Sequence, residues 1–140
     1  MTNSATEELK TLLAAQQKPA CAALTPFEVA EVDPEMNWIK LEFAEQPAFR
    51  NHFGNIQGGF AVAMLDVVIS VAAYAKTRVW LPTVEVKASF LEPLPIGKCI
   101  GEGRVVRAGK SLAFVDGRLV GANGRPAVIA TATAIVPVKS

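Results

Sequence analysis

Asp66 and Ser70 interrupt a run, Gly58 to Ala75, that is otherwise almost wholly apolar or small. A continuous apolar run of this length, opened by the glycine pair Gly58-Gly59, reads as a buried helix. Asp66 then sits about two turns in, where a carboxylate must be paired, hydrogen-bonded or neutralised because unpaired burial is costly. Helical spacing sets Ser70 one turn beyond Asp66 and Gly59 two turns before it, on the same side. An acid in an apolar helix is the place to look for nucleophilic or general-base chemistry. The plain alternative is a core aspartate satisfied by backbone donors.

Little else in the chain competes for chemistry. A single histidine, His52, excludes multi-histidine metal sites and limits any Ser-His-Asp triad to that residue. Cys21 and Cys99 are far apart with no CxxC, which argues against zinc or redox chemistry. Net charge is +1 with the charges scattered, so no footprint for nucleic acid exists. The stretch from Phe60 to Ala75 is shorter than the ~20 residues that span a bilayer, and it carries an acid. No membrane partner is expected. The N-terminus lacks a positive leader, which makes cytoplasm the default compartment. At 140 residues and 51% hydrophobic, the chain reads as one domain, 1–140, with a core that needs no staple.

The elements that must position Asp66 follow from the pattern. Ser4 and Glu7 have capping-box spacing, and Leu9, Leu12 and Leu13 form a stripe, so a short N-terminal helix is expected within 1–19, stopped by Pro19. Phe27 to Val32 and Trp38 to Phe43 form a hairpin around an Asp33–Asn37 turn. Ala48 to Ile56 is a loop leading into the central helix, 57–78. Thr83 to Phe90 alternates strictly, with Val84, Val86, Ala88 and Phe90 on one face against Glu85, Lys87 and Ser89. Cys99 to Arg107, Leu112 to Val120 and Val128 to Val136 are the remaining strands. Gly101 and Gly103 suggest a bend or the close approach of another backbone. Asn123-Gly124 is the strongest hairpin signal. Two strands, a helix apolar on nearly every side, then four strands make an α+β arrangement with an antiparallel sheet wrapped around the helix.

The order of residues now resembles a specific family, the PaaI-type acyl-CoA thioesterases of the hotdog fold. The matching pieces are Asn51, Gly54, Gln57-Gly58-Gly59, Asp66 and Thr83-Val84-Glu85, with Phe90-Leu91-Glu92-Pro93, Gly97 and Arg107-Ala108-Gly109-Lys110-Ser111 further on. They cover roughly Pro26 to Val136. The resemblance implies a homodimer as the minimum unit, with the two sheets joined and active sites at the interface, and a homotetramer of two such dimers. It assigns the catalytic acid to Asp66, attacking the thioester carbonyl or activating water. Gly58 would supply the oxyanion N–H, as helix N-termini and their dipoles can. Gly59 would let the substrate come close. Asn51 falls on an amide near the carbonyl or water. Thr83 falls on a hydroxyl position beside Asp66, facing Gly58 of the partner. Arg107, Gly109, Lys110 and Ser111 fall on the nucleotide-binding side. No cofactor or metal is implied, coenzyme A being part of the substrate.

Many family members have His-Gly-Gly where this chain has Gln57-Gly58-Gly59. Glutamine cannot act as a base, but its amide can orient by hydrogen bonding. His52 is not that histidine and reads as a loop or partner contact. Glu85 and Glu92 invite a paired-carboxylate reading, but Glu85 falls on the strand's polar face. Two rivals stand beside hydrolysis: a non-catalytic acyl-CoA binder, and a 3-hydroxyacyl thioester dehydratase, which would normally use a helix histidine.

Overall fold

A computed structural model describes residues 3–138. Helix α1 (Ser4–Ala14) is followed by strands β1 (Phe27–Asp33) and β2 (Trp38–Phe43). Helix α2 (Gly58–Thr77) then leads to β3 (Thr83–Phe90), β4 (Cys99–Ala108), β5 (Leu112–Val120) and β6 (Pro126–Ile135). The six strands form one antiparallel sheet in the order β1-β2-β4-β5-β6-β3. The sheet curls round α2, the hotdog arrangement that the sequence implies.

The apolar run makes α2 a core helix. Met64, Leu65, Val68, Ile69 and Val71 are 0–2% exposed, and each such side chain contributes about 1.5–3 kcal/mol by leaving water. Its 20 residues would suffice in length and hydropathy to cross a bilayer. The run is therefore not too short to span, and it is enclosure by the sheet that gives it its purpose. The helix stops at Arg78, which takes a left-handed φ of 61° while its N–H donates to Tyr74 O.

Gly101 and Gly103 prove to be a close approach. A Cβ on Gly103 would lie 2.9 Å from Ala72 Cβ and 3.0 Å from the Val68 carbonyl oxygen, and one on Gly101 would overlap Val68 Cγ2. These two strand positions let α2 lie almost on the backbone of β4.

The N-terminal helix is shorter than expected and capped differently. Met1 and Thr2 lie outside the described residues, and Asn3, not Ser4, is the cap: its Oδ1 accepts from Thr6 N at 2.8 Å. Thr6 is fully buried because its hydroxyl also accepts from Val32 N at 3.0 Å, pinning α1 to β1. The helix ends at Ala14, well before Pro19, which instead opens a 3-10 turn over Ala20–Leu24. Beyond the helix, Gln16 is drawn inward. Its Nε2 donates to Tyr74 OH at 2.6 Å and its Oε1 accepts from Trp80 Nε1 at 2.7 Å, while the Tyr74 and Trp80 rings stack. Gln16 thus ties the end of α2 to the segment that leads into β3.

Candidate active site

Asp66 and Thr83 are the two candidate residues that the protomer brings into contact. Asp66 is half-buried in the third turn of α2, and its Oδ1 accepts from Thr83 Oγ1 at 2.9 Å. Thr83 opens β3, and a β-bulge decides where it points. In the register, Thr83 pairs with Ala134 but Glu85 with Thr133, leaving Val84 as the extra residue. Strict alternation would put Thr83 on the same face as Glu85 and Val84 on the core face. The bulge reverses this: Thr83 joins the helix side, and Val84 is 56% exposed, correcting the expectation for Val84. Glu85 stays on the outer face and accepts from Thr133 Oγ1 at 3.3 Å.

The N-terminus of α2 is the second half of the arrangement. Gln57 is the capping residue but makes no side-chain cap bond, and its amide has no hydrogen-bond partner among the described residues. The N–H groups of Gly58 and Gly59 find no acceptor among the described residues, which leaves two donors at the positive end of the helix dipole. A Cβ on Gly58 would come within 3.2 Å of the Phe90 ring, whereas nothing lies within 4 Å of one on Gly59. Phe49 and Phe60 stack beside this end with ring centroids 4.3 Å apart.

The two halves are separated within one chain. Gly58 precedes Asp66 by eight residues, about 12 Å along a helix axis, while an oxyanion donor and a nucleophile must both lie ~3 Å from the reacting group. One protomer cannot bring both to a single carbonyl.

Asn51 holds its own loop. Its Oδ1 accepts from Phe53 N at 2.9 Å and Asn55 N at 3.0 Å, leaving the Nδ2 donor available. Gly54, in that loop, has φ +86°, a conformation that favours glycine. Arg107 is exposed near the end of β4, and Gly109, Lys110 and Ser111 form the β4–β5 turn. Gly109 N donates to Leu112 O, and Ser111 O accepts from Val136 N. The register row Thr83, Ala134, Ala113, Ala108 puts this turn at the Thr83 end of the sheet. Three strand spacings separate them, roughly 14 Å.

Other groups fall away. The Ser70 hydroxyl makes no hydrogen bond to Asp66 among the described contacts. Glu92 accepts from Asn123 Nδ2 and Arg125 Nε, which bind the β5–β6 turn rather than pair it with Glu85. His52 is exposed against Phe53. Burial pushes the Cys99 thiol up to about 12, which makes it a poor nucleophile. No cluster of His, Cys, Asp and Glu suited to a metal exists among the described residues. Sequence reading missed the bulge, the Phe90 contact with Gly58 and the Gln16 bridge. Pro82 before Thr83-Val84 is the one local hint of irregularity at the strand start.

Comparison with known proteins agrees with this architecture. The thioesterase superfamily profile matches residues 53–128. A Pseudomonas aeruginosa protein named as an esterase, PA1618, is 32% identical over 89 residues, 61% of this chain and 61% of the relative. That match therefore spans less than two thirds of the relative's length. Among solved structures, a phenylacetic acid degradation-related protein of Ralstonia eutropha is 30% identical, with TM-score 0.81, over 91% of this chain and 97% of that one. The Escherichia coli PaaI protein, from the phenylacetic acid degradation operon, superposes with TM-score 0.81 over 100% of this chain and 99% of its own at 13% identity, which is a likeness of fold. With the profile covering more than half of the sequence, including Gly58, Asp66 and Thr83, the chain belongs to the thioesterase superfamily and has a PaaI-like hotdog fold.

Proposed function

We propose that the protein hydrolyses an acyl-CoA thioester to a free acid and coenzyme A, with Asp66 as the catalytic carboxylate. Superfamily membership supports thioester hydrolysis in general. The observation that carries the assignment to Asp66 is its hydrogen bond from Thr83, which fixes Oδ1 and leaves Oδ2 without a partner among the described residues. Oδ2 either attacks the thioester carbon, giving an acyl-aspartyl anhydride and the departing thiolate, or takes a proton from the water that attacks it. In the first case water then cleaves the anhydride and restores the carboxylate. The thiolate leaves as the free thiol after gaining a proton.

The carbonyl oxygen becomes negative in either route and calls for the free N–H of Gly58, with the Gln57 and Asn51 amides orienting water or carbonyl. Because Gly58 and Asp66 of one chain lie too far apart, the donor comes from a second copy. The open edge of β3, with Val84, Phe90 and Leu91 each 54–57% exposed, is the natural place for that copy to add its own strand. Arg107, Lys110 and the turn amides of Gly109 and Ser111 are the groups we assign to the coenzyme A phosphates. Two free thiols, Cys21 and Cys99, fit a reducing, cytoplasmic setting.

The test is thiol release from short-, medium- and long-chain, phenylacetyl and benzoyl-CoA, with Asp66→Ala beside the wild type. Loss of about 10²–10⁴-fold in the variant, with fold and mass kept, is expected. Full activity in that variant refutes the role of Asp66. Binding without release in the wild type would make the protein a non-catalytic acyl-CoA binder.

A further inference from the structure

Gln16, two residues beyond the end of α1, holds two aromatic side chains at once. Its amide has one orientation that satisfies both. The Trp80 indole N–H can only donate, so it takes Gln16 Oε1 as its acceptor at 2.7 Å, and Nε2 is left to donate to Tyr74 OH at 2.6 Å. The two rings are stacked, with centroids 4.4 Å apart and planes at 21°, and Tyr74 is buried. The base from which Gln16 reaches is fixed. Asn3 and Thr6 bond to Val32 of β1, and Glu8 pairs with Arg78 at 3.1 Å, so α1 is held to the sheet and to the end of α2.

Both partners of Gln16 lie on the segments that carry the Asp66–Thr83 contact. Tyr74 follows Asp66 on α2 by eight residues, about 12 Å of helix axis. Trp80 precedes Thr83 by three residues, and three extended residues reach ~10–11 Å at most. No turn or bend falls between Trp80 and Thr83, and Leu81 precedes a proline, which favours extended backbone. The segment therefore runs back along α2 with little slack, tied to the helix by Trp80 at one end and by Thr83 Oγ1 at the other. Neither Trp80 nor Leu81 makes a backbone hydrogen bond among the described residues. The Leu81 side chain is buried and Pro82 O accepts from Ile135 N at 2.8 Å, which holds the segment to the core and sheet. Its lengthwise tie to α2, apart from Thr83 itself, is the Trp80 cluster.

We propose that Gln16 is a positioning residue for the Thr83 hydroxyl. By holding the Trp80 indole against Tyr74, it sets how far along α2 the segment lies, and so where Oγ1 meets Asp66. Gln16 bonds to neither Asp66 nor Thr83; it acts through Trp80. The close approach of α2 to β4 aims the carboxylate, and Gln16 places the hydroxyl that meets it. Gln16→Glu keeps this role, because a carboxylate accepts from the indole and the Tyr74 hydroxyl can turn its proton to donate. Gln16→Met has a similar length and no strong partner for either ring.

The effect on rate rests on the thioester hydrolysis proposed above, and a second readout does not. Thiol release is measured for the wild type, Gln16→Met, Trp80→Phe and Gln16→Glu, each also in the Thr83→Val background, with near-UV circular dichroism to verify the fold. Trp80→Phe keeps a ring for Tyr74 and loses only the N–H donor. It and Gln16→Met each lower kcat about fivefold, the worth of roughly one hydrogen bond, with KM little changed. Gln16→Glu stays at the wild-type rate. In the Thr83→Val background neither change lowers kcat further, since the hydroxyl they place is gone. Amide exchange at Ile135, whose N–H bonds to Pro82 O, quickens in Gln16→Met relative to the amides between β2 and β4, and not in Gln16→Glu. Full kcat in Gln16→Met, or the same fall with and without the Thr83 hydroxyl, overturns the proposal. A wild type that releases no thiol refutes hydrolysis instead. Ile135 exchange then decides, and an unchanged rate in Gln16→Met overturns the positioning role.

Discussion

Two sides of α2 are built on opposite principles, although glycine marks both. Against β4 and β5, Gly101, Gly103 and Gly117 remove side chains so that Val68, Ala72, Leu65 and Ile69 can press onto the strands. That wall is complete within one chain, and its helix residues are 0–2% exposed. Around the N-terminus of α2, Gly59 faces open space, and Phe53, Phe90 and Leu91 are 54–76% exposed. Large aromatic and aliphatic groups left in water beside free N–H donors mark a surface that something else completes. The first wall makes the fold. The second, in the function proposed above, makes a site of which one chain supplies only part.

The largest effect should come from breaking the finished wall. Gly103→Val must push a branched side chain into the Val68 carbonyl and Ala72, destabilising the protein by ~3 kcal/mol, seen as a lower urea midpoint. Thr83→Val acts on the unfinished side. It should leave the midpoint nearly unchanged while thiol release falls about tenfold, the equivalent of ~1.4 kcal/mol in the barrier. A smaller fall on removal of Asp66 from this variant than from the wild type would show that the hydroxyl works through the carboxylate. Gly59→Ala sharpens the contrast between the two glycine classes. With nothing within 4 Å of the added Cβ, stability should hold or rise by up to ~1 kcal/mol, while thiol release drops severalfold. A loss of stability there would mean that the second side is as tightly closed as the first.

The smallest effect at neutral pH concerns Cys99, whose burial in the finished wall pushes its thiol from 9.0 up to about 12. The unfolded chain loses this proton first, so the contribution is fully present below about pH 9 and is lost as pH rises toward 12. Denaturant titrations of Cys99→Ala should lack this part of the alkaline decline. Thiol labelling of the folded wild type should modify exposed Cys21 alone.

The strands β2, β3 and β5 begin and end where alternation says they do, and α2 differs from its expected span by one residue at each end. Period-2 and continuous apolar patterns are local properties, and a short window carries them. The candidate site was legible in part for the same reason: Asp66 stands out against the run that surrounds it. The Val84 bulge was hidden, because it depends on how β3 and β6 come into register rather than on the composition of either. Gln16 was hidden too, since its partners Tyr74 and Trp80 lie 58 and 64 residues away. The cap of α1 was misplaced by one residue because Ser4, Asn3 and Glu7 all suit a helix start. The ties of Asn3 and Thr6 to Val32 of β1 decide between them.

The glycines of β4 have a consequence beyond packing. Val68 follows Asp66 by two residues, about 200° of helical turn, so the two side chains leave α2 on opposite sides. A helix sunk onto a strand backbone at Val68 and Ala72 cannot roll or slide, as a keyed shaft cannot turn in its slot. The bearing of Asp66 toward Thr83 is therefore set on the far wall, by residues that touch neither. Changes around the open mouth can then alter which acyl group is accepted without disturbing that aim. A change as small as one methyl group in the slot can spoil it from a distance.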